Sequence, residues 1–121
     1  MSANSNSHST RRALTNGPLT FLVVATEWDS GHGGLSTFNR ELCCALSRLG
    51  HQVFCGVPTA TPDVVERALK AGVKVVAPPA LPGSKGVSSL YRRFNGVDDV
   101  DVVIGHGRIT GPYALAQVAD R

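Results

Sequence analysis

Long apolar runs are missing from this chain. No stretch approaches the roughly 18 consecutive apolar residues that a membrane-spanning helix needs, so a membrane span is excluded. The N-terminal segment offers no secretion signal either. Arg11-Arg12 is followed by Ala13-Leu14-Thr15-Asn16-Gly17-Pro18, which is no hydrophobic core for a twin-arginine leader. Cysteine is sparse: Cys43, Cys44 and Cys55 are odd in number and have no C-x-x-C spacing. That excludes a disulfide framework and a well-spaced zinc site, and it fits reduced thiols in a cytoplasmic protein. Aromatic residues make up 6% and charged residues 17% of the chain. The net charge is +3, yet the arginines and lysines are scattered, with no dense basic run interleaved with aromatics. Nucleic-acid binding is therefore not expected. Three further signatures are absent: G-x-G-x-x-G, a glycine loop ending in G-K-[ST], and the G-x-S-x-G nucleophile elbow.

What the chain does contain is alternation. Its 121 residues, 42% of them hydrophobic, suffice for one domain at most. Residues 1–17 are rich in Ser, Asn and Thr and read as a flexible tail; residues 18–121 read as the domain. Leu19 to Thr26 is a short apolar run rich in β-formers, which suits a strand buried on both faces. A glycine-rich loop, Glu27 to Gly34, leads into a helix expected from about Ser36 to Leu49, with Ser36 or Thr37 as N-cap. Leu35, Phe38, Leu42, Ala45, Leu46 and Leu49 recur at spacings of three and four, which predicts one apolar face. Gly50 reads as a left-handed helix stop.

The same unit then repeats. Gln52–Val57 predicts a second strand, and Pro62–Ala71 a second helix, with Thr61 as cap, Pro62 in the first turn and Gly72 as stop. Val73–Ala77 predicts a third strand, followed by a loop over 78–87 and a short helix over Ser88–Phe94. Asp101–Gly105 predicts a fourth strand, and a last helix is expected from Gly111 to Arg121. Strands alternating with helices at these lengths imply right-handed crossovers and an α/β, Rossmann-like parallel sheet in the order 3-2-1-4. The fourth strand would be an apolar edge in need of cover. The pattern therefore reads as a sheet cut short, to be completed by further sequence or by a partner chain.

In an open parallel sheet, ligands bind beyond the carboxyl ends of the strands, where the strand order reverses. That point falls between the first and fourth strands. It brings Trp28-Asp29-Ser30-Gly31-His32-Gly33-Gly34 together with Gly105-His106-Gly107-Arg108. Gly33 and Gly34 open a helix, where bare backbone amides favour a phosphate or diphosphate; a tight turn alone would also explain them. His106, at a strand end between two glycines, and His32 are candidates for hydrogen bonding or proton transfer near neutral pH. Arg108 is a candidate anion clamp or a surface ion pair. Asp29 and Glu27 are candidates for binding a sugar hydroxyl or for capping backbone amides, and a paired-carboxylate hydrolase is the weaker use for them. Trp28 is either a stacking platform or a packing residue. His51 follows a helix stop, which suggests a role in the turn, and His8 lies in the tail.

These residues resemble a known family. Gly33-Gly34, then Leu42 and Leu46, then Gly50-His51-Gln52-Val53 are similar to the N-terminal signature of GT-B glycosyltransferases of the family 4 type: a GG loop, an amphipathic helix, and a G-H-x-V entry to the second strand. Asp101-Val102-Val103-Ile104-Gly105-His106-Gly107 looks like a later strand of the same domain, with its strand-end histidine. The resemblance covers roughly residues 19–121. It implies the N-terminal half-domain of an enzyme with two Rossmann-like domains facing a cleft. Such enzymes move a sugar from a nucleotide-diphosphate sugar to an acceptor with retention of configuration and usually without an essential metal. By that likeness Gly33 and Gly34 lie near the donor diphosphate and His106 near the transferred sugar or the acceptor. His32, Asp29 and Arg108 extend the same crevice.

The chain also departs from the family pattern. The second domain, with its basic residues for the diphosphate and its E-x7-E motif, is not in this sequence. The expected function is thus part of a retaining glycosyltransferase, forming the acceptor-side wall of the cleft. Nucleotide-sugar serves as co-substrate, with no further cofactor, and the fragment alone is not expected to turn over. Two alternatives stand beside it: a non-catalytic binding or regulatory module derived from the fold, and a different nucleotide-binding α/β protein.

Overall fold

The computed structural model describes residues 17–29, 34–78, 94, 96, 97 and 99–119, with the side chains of residues 34, 35, 107–109 and 119 left aside. Four strands form one parallel sheet: β1 (Thr20–Val24), β2 (Gln52–Gly56), β3 (Val73–Val76) and β4 (Val102–Gly105). Their order is β3-β2-β1-β4, as the alternation implied. Three helices connect or follow them: α1 (Gly34–Arg48), α2 (Pro62–Lys70) and α3 (Gly107–Ala119).

Strand alternation sends side chains to opposite faces of the sheet. Val23, Val53, Cys55, Val73 and Val75 face α1 and α2, where they meet Cys43, Leu46, Val64, Val65 and Ala68. Leu22, Val24, Phe54, Val76 and Val103 face the other side, where they meet Tyr113 and Ala114 of α3 together with Phe94, Val97 and Val100. The central strand is therefore sealed on both faces, and Leu22, Val23 and Val24 are fully buried.

Local stops and caps follow the sequence closely. Gly50 adopts φ +96°, His51 N–H donates to Leu46 O at 3.2 Å, and Gly50 N–H to Ser47 O at 2.9 Å. This is the paired-bond helix ending that a left-handed glycine permits. Gly72 ends α2 at φ +85°, pressed against the Ser47 side chain, whose hydroxyl donates to Gly72 O at 3.1 Å. A side chain at Gly72 would suffer both strain and collision. Thr61 caps α2, its Oγ1 accepting from Val64 N–H at 3.2 Å, a bond typically worth about 1 kcal/mol. His51 serves the turn: its Nδ1 accepts from Leu19 N–H at 3.0 Å and its ring meets Phe21 edge-on. Asp101 anchors the other side of β1, accepting from Thr20 N–H at 2.8 Å through its carboxylate.

Several local expectations are corrected. Helix α1 starts at Gly34, so Ser36 lies inside it rather than capping it. The Ser36 hydroxyl donates to Trp28 O at 3.4 Å instead. The buried line of α1 is Ser36, Asn39 and Cys43, whereas Phe38 is 57% and Leu49 73% exposed. The first half of the helix thus lies over strand ends, where polar partners await, and its inward face is correspondingly polar. Helix α3 begins at Gly107 rather than Gly111, which leaves Pro112 inside it. The Thr110 hydroxyl bonds back to His106 and consolidates that earlier start. The short helix expected over Ser88–Phe94 lies outside the described residues except for Phe94, which is not helical and is buried against Gly56.

Candidate functional site

The strand order reverses between β1 and β4, and a small recess of about 30 Å³ lies at their carboxyl ends. Its lining comes from three places: Ala25, Thr26 and Glu27 after β1, Ser36 and Asn39 on α1, and His106 with Thr110 after β4. Long-range topology thus joins segments about 80 residues apart, the distance from Ala25 to His106 along the chain. The volume suits one water-sized polar group rather than a sugar ring.

His106 is the centre of this recess. It is 9% exposed, the first residue past β4, and directly before α3. Its backbone N–H donates to Thr110 Oγ1 at 2.6 Å, and the Thr110 hydroxyl donates to His106 O at 3.2 Å. Its ring Nε2 lies 2.8 Å from Asn39 Oδ1, and Phe38 meets it edge-on at 5.8 Å between centroids. Backbone and ring are therefore both tied. Gly105 permits this seat, because a Cβ there would fall 2.8 Å from Thr110 O and 2.9 Å from Gly111 Cα.

Burial lowers the His106 pKa from its ordinary 6.5, because the imidazolium loses hydration that the recess does not replace. The unfolded chain therefore binds the proton more readily than the folded one. Stability from this group is present above pH 6.5 and is lost as pH falls through the lower folded value. Urea melts between pH 7 and pH 5 are expected to show a stability decline that shrinks when His106 is replaced by glutamine. An identical pH slope in both proteins would assign the decline elsewhere.

Asn39 escaped sequence reasoning, since it interrupts no motif and sits on an otherwise amphipathic helix. It is 1% exposed and fully engaged. Oδ1 faces His106 and accepts from the Cys43 thiol at 3.9 Å; Nδ2 donates to Cys55 Sγ at 3.5 Å. Cys55 and burial together push the Cys43 thiol far up, so it stays protonated. Thr110 was missed for the same reason. All three cysteines are free thiols.

The other candidates divide. Asp29 is not in the His106 recess. It pairs with Arg67 of α2, which also holds Asp63 at 3.0 Å. Asp29 and Arg67 line a larger hollow of about 760 Å³ between α1 and α2, with Trp28, Arg40, Glu41 and Cys44. That hollow opens broadly to solvent, and its Arg67 is already committed to two carboxylates, so the small recess is the better-formed site. Trp28 is 4% exposed and belongs to the core beneath α1 and α2, a packing residue. Gly34 opens α1. His32 and Gly33 lie outside the described residues. Arg108 lies in the first turn of α3, and its side chain is outside the description.

A parallel α/β sheet with its recess at the point of strand reversal defines the chain as a Rossmann-like module of the kind found in the N-terminal half of GT-B enzymes. The chain matches the family described as family 4 glycosyltransferase in conflict systems over residues 22–121, and it belongs to that family. No curated protein and no solved structure matches it. The match begins within β1 and runs through β4 and α3, so it includes every segment that lines the recess. Among the described residues no helix is long and apolar enough to cross a membrane.

Proposed function

We propose that this chain forms the acceptor-side wall of a retaining glycosyltransferase cleft, where a sugar passes from a nucleotide-diphosphate sugar to an acceptor hydroxyl in the cytoplasm. The observation that carries the proposal is the family match across the same residues that bring His106 to the point of strand reversal. In the reaction, the bond between the anomeric carbon and the diphosphate oxygen breaks, and a bond to the acceptor oxygen forms. The acceptor proton leaves with the departing diphosphate or with a base.

His106 contributes a neutral ring that holds one hydroxyl of the sugar or acceptor, which suits a recess with room for a single small polar group. Gly34, the first residue of α1, and Gly33 before it in sequence are assigned to the donor diphosphate through backbone amides, and His32 and Arg108 are assigned to the same crevice. Asp29 joins this set only by leaving Arg67. The leaving diphosphate needs a preorganised positive environment. Among the described residues lining the recess the only charged one is Glu27, so the amides of α1 and Arg108 supply only part of that environment, and the rest is assigned to a second domain facing the cleft.

Incubating the full-length native protein with UDP-, ADP- and GDP-sugars tests this reading. Release of nucleotide diphosphate, and a product whose anomeric proton keeps the donor's configuration in the NMR spectrum, are expected. An inverted product would overturn retention. A second reading, a non-catalytic module that pairs with a partner, draws on Leu115 (71% exposed) and Val118 (45%) on α3, the helix that packs on edge strand β4. Failure to bind any nucleotide sugar, together with stable association through that edge, would favour it.

A further inference from the structure

Asn39 has no business on the inner face of an amphipathic helix unless its amide is needed there. It is 1% exposed, and each end of its amide is engaged: Oδ1 with His106 Nε2 at 2.8 Å and Nδ2 with Cys55 Sγ at 3.5 Å. A carboxamide oxygen can only accept. The ring nitrogen facing it therefore carries a proton, and Nδ1 is left with the lone pair. Behind Asn39, the Cys43 thiol is pushed up and donates to Oδ1, while hydrogen bonds from Cys43 and Asn39 hold the Cys55 pKa down and make its Sγ the acceptor of Nδ2; the Phe38 ring edges His106, and the Thr110 hydroxyl bonds the His106 backbone. Glu27, after β1, is the charged group among the described residues lining the recess.

We infer that Asn39 is a positioning residue that holds the buried His106 ring in its Nε2–H form, so that Nδ1 is the nitrogen offered to a bound hydroxyl. The last clause rests on the proposed function; the tautomer does not. The consequence is a preference for the partner's chemistry. A ring presenting a lone pair accepts from a hydroxyl and repels a phosphate oxygen, so the group bound at His106 is a sugar or acceptor hydroxyl rather than the diphosphate. Asn39 and His106 are 67 positions apart, and the contact exists only when α1 lies across the β1–β4 junction.

Long-range proton–nitrogen NMR of the full chain with labelled histidine tests the inference directly. In the native protein His106 is expected to be neutral at pH 7 with Nε2 protonated. Asn39→Asp puts a carboxylate oxygen in the same place and is expected to raise the His106 titration midpoint by at least one pH unit. Asn39→Ala is expected to release the ring into a mixture of tautomers. An Nδ1–H ring in the native protein would overturn the inference, as would a midpoint unmoved in Asn39→Asp. The native tautomer needs no variant, so the test stands even where a substitution unfolds the chain. A native protein with the expected tautomer that binds no nucleotide sugar would refute the proposed function and leave the role of Asn39 intact.

Discussion

Replacing His106 with alanine is expected to lower the rate of sugar transfer by about 100-fold or more, the usual scale for losing a positioned proton-transfer or hydrogen-bonding group. The loss should fall mainly on kcat, because a contact that strengthens as charge moves is spent on the transition state. Alanine also strips Asn39 Oδ1 of its close partner and leaves only the Cys43 thiol at 3.9 Å. An under-satisfied buried acceptor costs about 1–3 kcal/mol, so part of the loss could come from folding. His106→Gln separates the two effects. Its amide N–H can still reach Asn39, while it has no basic nitrogen. If the chemistry depends on the ring, His106→Gln should melt near the native temperature and still transfer sugar about as poorly as alanine. Native rates in the glutamine variant would remove His106 from the reaction and leave it a structural residue.

Gly105→Ala is expected to be the most damaging small change to the fold near the site. The new Cβ would lie 2.8 Å from Thr110 O, 2.9 Å from Ala114 Cβ and 2.9 Å from Gly111 Cα. Two of those three neighbours are backbone atoms of α3, which cannot rotate aside, so the helix must lift from β4. Overpacking of this kind costs typically about 1–3 kcal/mol, which for a chain of this size lowers the melting temperature by several degrees. His106 lies between Gly105 and α3, so the shift should also loosen the contact between its ring and Asn39. Gly111→Ala is the internal control. A Cβ there meets nothing within 4 Å outside its chain neighbours and the backbone of its own helix. Alanine in a helix interior is favoured over glycine by roughly 0.5–1 kcal/mol, but crowding of the new Cβ by the Pro112 ring offsets that gain, so that variant should melt close to the native temperature. An equal fall in the melting temperatures of the two proteins would show that the close packing of α3 on Gly105 is not the cause.

Each of these expectations depends on how α1 and α3 sit against the sheet, and that is where sequence and structure part company. Local signals carried the architecture. The β-rich apolar runs around Val23, Val53, Val75 and Val103, broken by stops at Gly50 and Gly72 and a cap at Thr61, are decided by backbone sterics within a few residues. Those units imply a parallel sheet with right-handed crossovers, and the Rossmann-like pattern supplies the order β3-β2-β1-β4 that brings His106 to the strand reversal. The face of α1 was not legible in the same way. Hydropathy periodicity sends Phe38 and Leu49 inward, but it assumes that the surface beneath a helix is apolar throughout. Near the strand ends it is not: His106 and Cys55 lie there, and Asn39 and Cys43 turn inward to meet them. Asp29 shows the same limit, since its partner Arg67 lies 38 positions away on α2, and no local spacing announces the pair. The sequence by itself determined the parallel α/β units, which follow from short-range sterics and chain chirality, and the Rossmann-like pattern of those units put the histidine at the switch point. Only the tertiary structure decided that Asn39 and Thr110 hold that histidine and that Asp29 turns away from it, because hydrogen bonds between distant side chains exist only after packing has chosen which faces meet.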